Sequence, residues 1–146
     1  MINLFKNKQL DKSNNDEFLT KVASLLIHAA KIDEIYTDDE KEIIKKTLIK
    51  LGAESLKIDE VMSQASINEE NTNQILDFTR EIKNAPESSK IKIIESLWEI
   101  IYSNKKADMY ETNLMRRLTG LLYLDEKIVG NIKEKIKKDL TKWPIW

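Results

Sequence analysis

The residues best suited to chemistry lie in one acidic stretch, KIDEIYTDDE at positions 31–40. This decamer holds five carboxylates: Asp33, Glu34, Asp38, Asp39 and Glu40. Hard cations such as Ca²⁺ and Mg²⁺ need several oxygen ligands converging at about 2.0–2.6 Å, which a short acidic loop can provide. The spacing differs from that of the twelve-residue calcium loop, because Ile35 and Tyr36 interrupt it and the central glycine is missing. A cation site here would have to be assembled from the end of one helix and the start of the next.

The same acids have a structural interpretation. Thr37 precedes Glu40 by three residues, which is the spacing of a reciprocal capping box at a helix N-terminus. Acidic side chains in a first helical turn also favourably oppose the positive end of the helix dipole. His28, the only histidine, lies before the acidic stretch and either adds a nitrogen ligand or is a half-exposed residue with an ordinary partner. The residues alone leave the cation site and the helix cap as alternatives.

Other classes of chemistry find little support. Cysteine is absent and a single histidine is present, so no nucleophile–base pair and no two-histidine metal motif can be named. Lys and Arg total 24 against 25 for Asp and Glu, which is not the basic excess of a nucleic-acid-binding domain. We therefore expect no catalytic residues, no enzymatic activity and no nucleic-acid partner.

The elements that must position the acidic stretch are helices. Apolar residues recur at three-and-four spacing in seven segments, only three Gly and two Pro occur, and no strand-like alternation is found. The pattern predicts an all-α fold: a single compact domain of about seven helices. The first helix is expected at about 16–32 with Ser13–Asn15 as its cap, and residues 66–73 are expected to form a polar connection. We expect a flexible N-terminal segment at 1–14, the helical domain at 15–140 and a C-terminal tail at 141–146.

The two halves of the chain resemble each other at an offset of 71 residues. This offset sets Thr37 on Asp108 and Glu40 on Glu111, and both pairs have the spacing of a capping box. Each half then consists of a helix, a polar elbow and a second, capped helix. The sequence thus predicts an internal pseudo-two-fold repeat.

The C-terminal segment is basic and ends in KWPIW, with Trp143 and Trp146 on either side of Pro144. A basic helix with terminal tryptophans can lie at a membrane surface, and the alternative is an ordinary solvated lysine face. No apolar run reaches the roughly 18 residues of a membrane span, and no secretory signal is recognisable. We expect a cytoplasmic protein, with peripheral membrane contact through this helix as one option.

Three blocks together resemble the TerB-like tellurite-resistance family. They are LLIHAAKID…TDDEKEIIKKTLIKLG, LDFTREIKNAPESSKIKIIESLWEIIYSN and DMYETNLMRRLTGLLYLDEK, and the resemblance covers about residues 18–138. It implies a wholly helical domain whose elbows typically read Ala-Asp-Gly-Glu-x-Asp-Pro-x-Glu, with the acids binding a divalent cation.

This chain departs from that elbow pattern. The first elbow keeps Asp33 and Glu40, but Glu34 replaces the usual glycine, and Asn104, Lys105 and Lys106 replace Asp-Gly-Glu in the second. Carried over residue by residue, the resemblance leaves Asp33, Asp39 and Glu40 as the candidate metal ligands, for Ca²⁺, Mg²⁺ or Zn²⁺. It implies a non-enzymatic, stress-related module that binds a protein partner, with a divalent-cation-binding domain as the alternative.

Overall fold

The chain is built from seven α-helices in the computed structural model, which describes residues 2–32, 36–72, 74–103 and 109–141. The helices are α1 (Ile2–Ala30), α2 (Asp38–Lys50), α3 (Ile58–Asn71), α4 (Leu76–Ile82), α5 (Glu87–Ser103), α6 (Met109–Leu121) and α7 (Glu126–Thr141), with a short 3₁₀ helix at Ser55–Lys57. These ranges contain no β-strand. The predicted all-α fold is confirmed.

The core forms around α1 and α5, the two most apolar helices. Helix α1 packs against α2, α3, α4 and α5, while α5 also packs against α2 and α7. The stripe predicted for α1 is buried at Val22, Leu25 and Leu26, and α5 buries Ile94 and Leu97. Removing these apolar side chains from water is the main force that holds the seven helices together.

The backbone confirms the internal repeat. Helices α2 and α6 have the same length, and each end of α6 lies 71 positions after the matching end of α2. Their C-termini close in the same way, because Ala53 N–H donates to Leu48 O (2.9 Å) and Leu124 N–H donates to Thr119 O (3.0 Å). These bonds satisfy carbonyl groups that the helix itself leaves without partners.

Two lysines of α5 help to hold the second helix of each half in place. Lys90 Nζ donates to the carbonyl of Leu122 at 2.8 Å, and Lys92 Nζ donates to the carbonyl of Lys50 at 3.4 Å. Both carbonyls lie at helix C-termini, where a cation also opposes the negative end of the helix dipole. The central helix therefore contacts the C-terminal ends of both α2 and α6 through lysine side chains.

Two helix boundaries predicted from the sequence are wrong. Helix α1 begins at Ile2 rather than near residue 16, so Ser13–Asn15 lie inside the helix and do not cap it. No Gly or Pro interrupts residues 2–15, so local propensity permits the extension. Whether residues 1–14 are flexible stays a prediction. Helix α3 continues to Asn71 through the expected connection at 66–73, where Glu69 is held by contacts to α1.

The C-terminal helix turns its apolar residues inward. Val129, Ile132 and Ile136 of α7 are buried, whereas Lys127 and Lys135 are exposed. None of the helices within the described ranges has the length and apolar character needed to cross a membrane. The tryptophans at 143 and 146, on which the membrane-contact prediction partly depends, lie outside the described residues.

Candidate functional site

The first acidic elbow contains a complete helix cap. Thr37 N–H donates to Glu40 Oε1 at 2.8 Å, and Glu40 N–H donates to Thr37 Oγ1 at 3.1 Å. The Thr37 hydroxyl also donates to Glu40 Oε1 at 3.0 Å. The capping box predicted from the sequence is therefore confirmed, and one oxygen of the Glu40 carboxylate is engaged in it.

The three candidate metal ligands lie in different surroundings. Glu40 is completely buried (0% exposed), Asp39 is exposed on the first turn of α2, and Asp33 lies outside the described residues. Within the described ranges, no three His, Cys, Asp or Glu side chains come close enough to hold a metal ion. Because Asp33 lies outside the described residues, the ligand set of Asp33, Asp39 and Glu40 stays a prediction.

The second elbow lies mostly outside the residues that the structure describes. Residues 104–108, which include Asn104, Lys105 and Lys106, lie outside the described part of the chain, as does the side chain of Glu111. The backbone of α6 begins at Met109, one residue after the predicted cap Asp108. The position of the helix start agrees with the prediction.

The hydroxyl group of Tyr36, at the first elbow, is in an unusual environment. The hydroxyl is buried and has no hydrogen-bond partner within the part of the chain that the structure describes. Burial, with a smaller contribution from the negative charge of Glu40, raises the pKa of Tyr36 from 10.0 to about 12. Buried hydroxyl groups are normally hydrogen-bonded, so this one is an exception among the described residues.

An open cleft of about 520 Å³ lies beside the elbow, between the end of α1, the start of α4 and one face of α6. Its polar lining consists of His28, Gln74, Asn113 and Arg117, and its apolar lining of Ile32, Ile75, Leu76 and Leu114. Ile32 directly precedes the acidic stretch. We call this feature the α1–α4–α6 cleft.

One wall of the cleft is held by an ionic network. His28 Nδ1 lies 3.4 Å from Glu69 Oε1, and Lys31 Nζ donates to Glu69 Oε2 at 3.0 Å. The His28 ring also approaches the ring of Phe78, with their centroids 6.3 Å apart. His28 is therefore the half-exposed, partnered histidine that the sequence offered as one alternative, and it ties the end of α1 to α3.

Sequence reasoning did not identify the cleft. Gln74, Asn113 and Arg117 are ordinary polar residues in a helical sequence, and they meet only because α4 packs against α6. One signal was available in the sequence. Asn113 and Arg117 are four residues apart and therefore lie on the same face of α6.

The family is shown by comparison with known sequences. The family model described as tellurite resistance protein TerB matches residues 19–134, which is most of the 146-residue chain. The chain therefore belongs to the TerB family. No curated protein and no solved structure matches it.

Proposed function

We propose that this TerB-family chain is a non-enzymatic, stress-related module that binds another protein, and that a segment of the partner docks in the α1–α4–α6 cleft. The observation that carries the proposal is the composition of the cleft, where four apolar side chains lie beside four side chains capable of hydrogen bonding. A peptide segment presents apolar side chains and backbone amide groups together, so it suits a lining of this kind.

The side chains around the cleft are consistent with a binding role. His28, which lines the cleft, contacts Glu69 and links two helices. Arg117 lies exposed on α6 and can reach a carboxylate or a carbonyl of a bound segment with several N–H donors. In the neighbouring elbow, Glu40 serves to complete α2.

Co-purification from the native cells, with the tagged full chain as bait, tests this proposal. Leu76→Asp and Arg117→Glu change exposed residues of the cleft, so both variants should fold and should recover at least about tenfold less of the partner. Asn131→Asp, an exposed change on α7, is the matched control and should behave like the wild type. A partner retained equally by all four proteins would contradict the proposal.

A divalent-cation site at the elbow is the second candidate function. It is favoured by the buried Tyr36 hydroxyl, which has no hydrogen-bond partner among the described residues, near the fully buried Glu40 carboxylate. Asp33, Asp39 and Glu40 would supply the oxygen ligands. Calorimetric titration with Ca²⁺, Mg²⁺ and Zn²⁺ should then give heat and a higher melting temperature, both lost in Asp33→Asn. No heat and no thermal shift at millimolar metal would exclude this function.

Peripheral membrane contact through α7 stays a proposal of narrower scope. Because Val129, Ile132 and Ile136 are buried in the core, the contact would depend on exposed lysines such as Lys127 and Lys135. Such binding is electrostatic and is screened by salt. Flotation with vesicles containing anionic lipid should therefore show binding at low salt that is lost at high salt, and equal flotation of Lys127→Glu/Lys135→Glu would exclude it.

A further inference from the structure

A second surface lies between the outer faces of α2 and α3, where a groove of about 440 Å³ runs along α3. We call it the α2–α3 groove. Met62 is buried in it, and Ser63, Ser66 and Ile67 line it further along the same helix. None of the residues that line this groove also lines the α1–α4–α6 cleft.

Exposed apolar side chains occur on both helices that border this groove. Five large apolar residues of the described part of the chain are strongly exposed, and two of them lie on the helices that border the groove: Ile49 of α2 (49%) and Ile67 of α3 (49%), of which Ile67 lines it. Ile49 continues the face of α2 that carries Lys41 and Lys45, since the three are spaced by four residues. Apolar residues gathered on neighbouring elements are typical of a protein–protein interface.

The shape of the groove suits a helix. Its α3 wall extends from Asp59 to Glu70, which spans about 16 Å at 1.5 Å per residue and matches three turns of a partner helix. Ser63 and Ser66 are small, so a backbone can approach α3 closely between them, and Ile67 offers an apolar contact beside them. An amphipathic helix laid in such a groove inserts apolar side chains at three-and-four spacing.

The charges on the two sides of the groove have opposite sign. Lys41 and Lys45 lie on the α2 side, and Asp59 and Glu70 lie on the α3 side. Lys45 Nζ lies 3.6 Å from Asp59 Oδ1 across the groove, and the Asp59 side chain of that pair is largely exposed. Exposed pairs of this kind contribute little to stability, so an incoming helix can exchange them for its own contacts at little cost.

From these observations we infer that the α2–α3 groove binds an amphipathic helix of a partner protein, with acidic residues along the border facing α2 and basic residues along the border facing α3. An anionic membrane surface is a poorer fit, because Asp59 and Glu70 would repel it. This surface is additional to the cleft of the proposed function and can be tested independently of it.

Selection from a displayed library of helical peptides, with the full chain as target, tests the inference. The selected peptides should carry an apolar stripe of period 3.6 with acids on one border and bases on the other. Ile67→Asp and Ser63→Trp change the groove at exposed positions and should each weaken the binding of a selected peptide at least about tenfold. Leu76→Asp, which alters only the cleft, is the control and should bind as the wild type does.

Several outcomes would overturn the inference. Selected peptides without helical periodicity, or peptides that bind Ile67→Asp and Ser63→Trp as well as the wild type, would show that the groove is not the site. Sedimentation showing a dimer that Ile67→Asp dissociates would assign the groove to a second copy of the chain. Flotation with anionic vesicles that Ile67→Asp abolishes would assign it to lipid. Loss of peptide binding in Leu76→Asp alone would place the contact in the cleft.

Discussion

Gly52 and Tyr123 occupy the same position in the two halves of the chain, two residues after the last residue of α2 and of α6, and both have positive φ, at 105° and 56°. Glycine adopts this backbone conformation without steric cost, whereas a residue with a Cβ does so at a cost of roughly 1–2 kcal/mol. The Tyr123 ring is 70% exposed, and the Nζ atoms of Lys83 and Lys90 lie 5.9 and 6.0 Å from its centroid. The repeat therefore has a relaxed turn in the first half and a strained one in the second.

Replacing Tyr123 tests this relationship. Tyr123→Gly should be more stable than Tyr123→Ala by about 1 kcal/mol, because both variants remove the ring and only glycine relieves the positive φ. Gly52→Ala should lower the free energy of unfolding by about 1 kcal/mol through the same effect in the first half. Urea unfolding of the three variants gives these values, and equal stability of Tyr123→Gly and Tyr123→Ala would contradict the strained conformation.

Substitutions in the capping box can separate the structural role of Thr37 and Glu40 from any role in metal binding. Thr37→Ala should lower the free energy of unfolding by about 1 kcal/mol without added metal, since it removes the cap of α2. Glu40→Ala should cost more, about 2–4 kcal/mol, because it also leaves a space in a fully buried position. Asp39→Asn, an exposed change one residue earlier, should cost less than about 0.5 kcal/mol. Chemical unfolding in the presence of chelator measures all three, and an Asp39→Asn loss equal to that of Glu40→Ala would refute the assignment.

Tyr36→Phe should stabilise the protein at neutral pH by up to about 1 kcal/mol, because it removes a buried hydroxyl that no described residue hydrogen-bonds. Thermal unfolding of the two proteins checks this. A clear loss of stability would mean that the hydroxyl holds a water molecule or an ion, and would strengthen the cation-binding alternative.

The effect of Tyr36→Phe on the free energy of unfolding should depend on pH. The pKa of Tyr36 is 10.0 in the unfolded chain and about 12 in the folded one, so between these values the unfolded state releases the proton while the folded state keeps it. Below pH 10 the Tyr36 hydroxyl is mainly protonated in both states, so no loss of stability is expected there. Above pH 10 the wild type should lose about 1–2 kcal/mol more than Tyr36→Phe by pH 12, with allowance for solvent screening. Identical alkaline profiles would show that Tyr36 is not buried as described.

The fold was accessible from the sequence because its determinants are local and repeated. The stripe of Val22, Leu25 and Leu26 and the box of Thr37 and Glu40 each specify a helix or its start from residues at most four positions apart. The start of α1 was missed because Ser13–Asn15 have the composition of a cap, although nothing there breaks a helix. Composition cannot show whether a cap is used.

The candidate site was less accessible, because it depends on tertiary packing. The acids of the elbow were visible in the sequence, but the burial of Glu40 beside an exposed Asp39 follows from how α2 meets the core. Gln74 and Arg117 are 43 positions apart, and no periodic pattern relates them. Only the packing of α4 against α6 places both in one cleft.

The most direct test of the central claim, that the protein works by binding a partner in the α1–α4–α6 cleft, is site-specific photo-crosslinking in the native cells. A photoreactive amino acid would replace Gln74, an exposed residue of the cleft, and in a second protein Asn131, an exposed residue of α7. A single protein should crosslink to position 74 and not to position 131, and Arg117→Glu should abolish the product. The same product from both positions, or a product at position 74 that persists in Arg117→Glu, would contradict the claim.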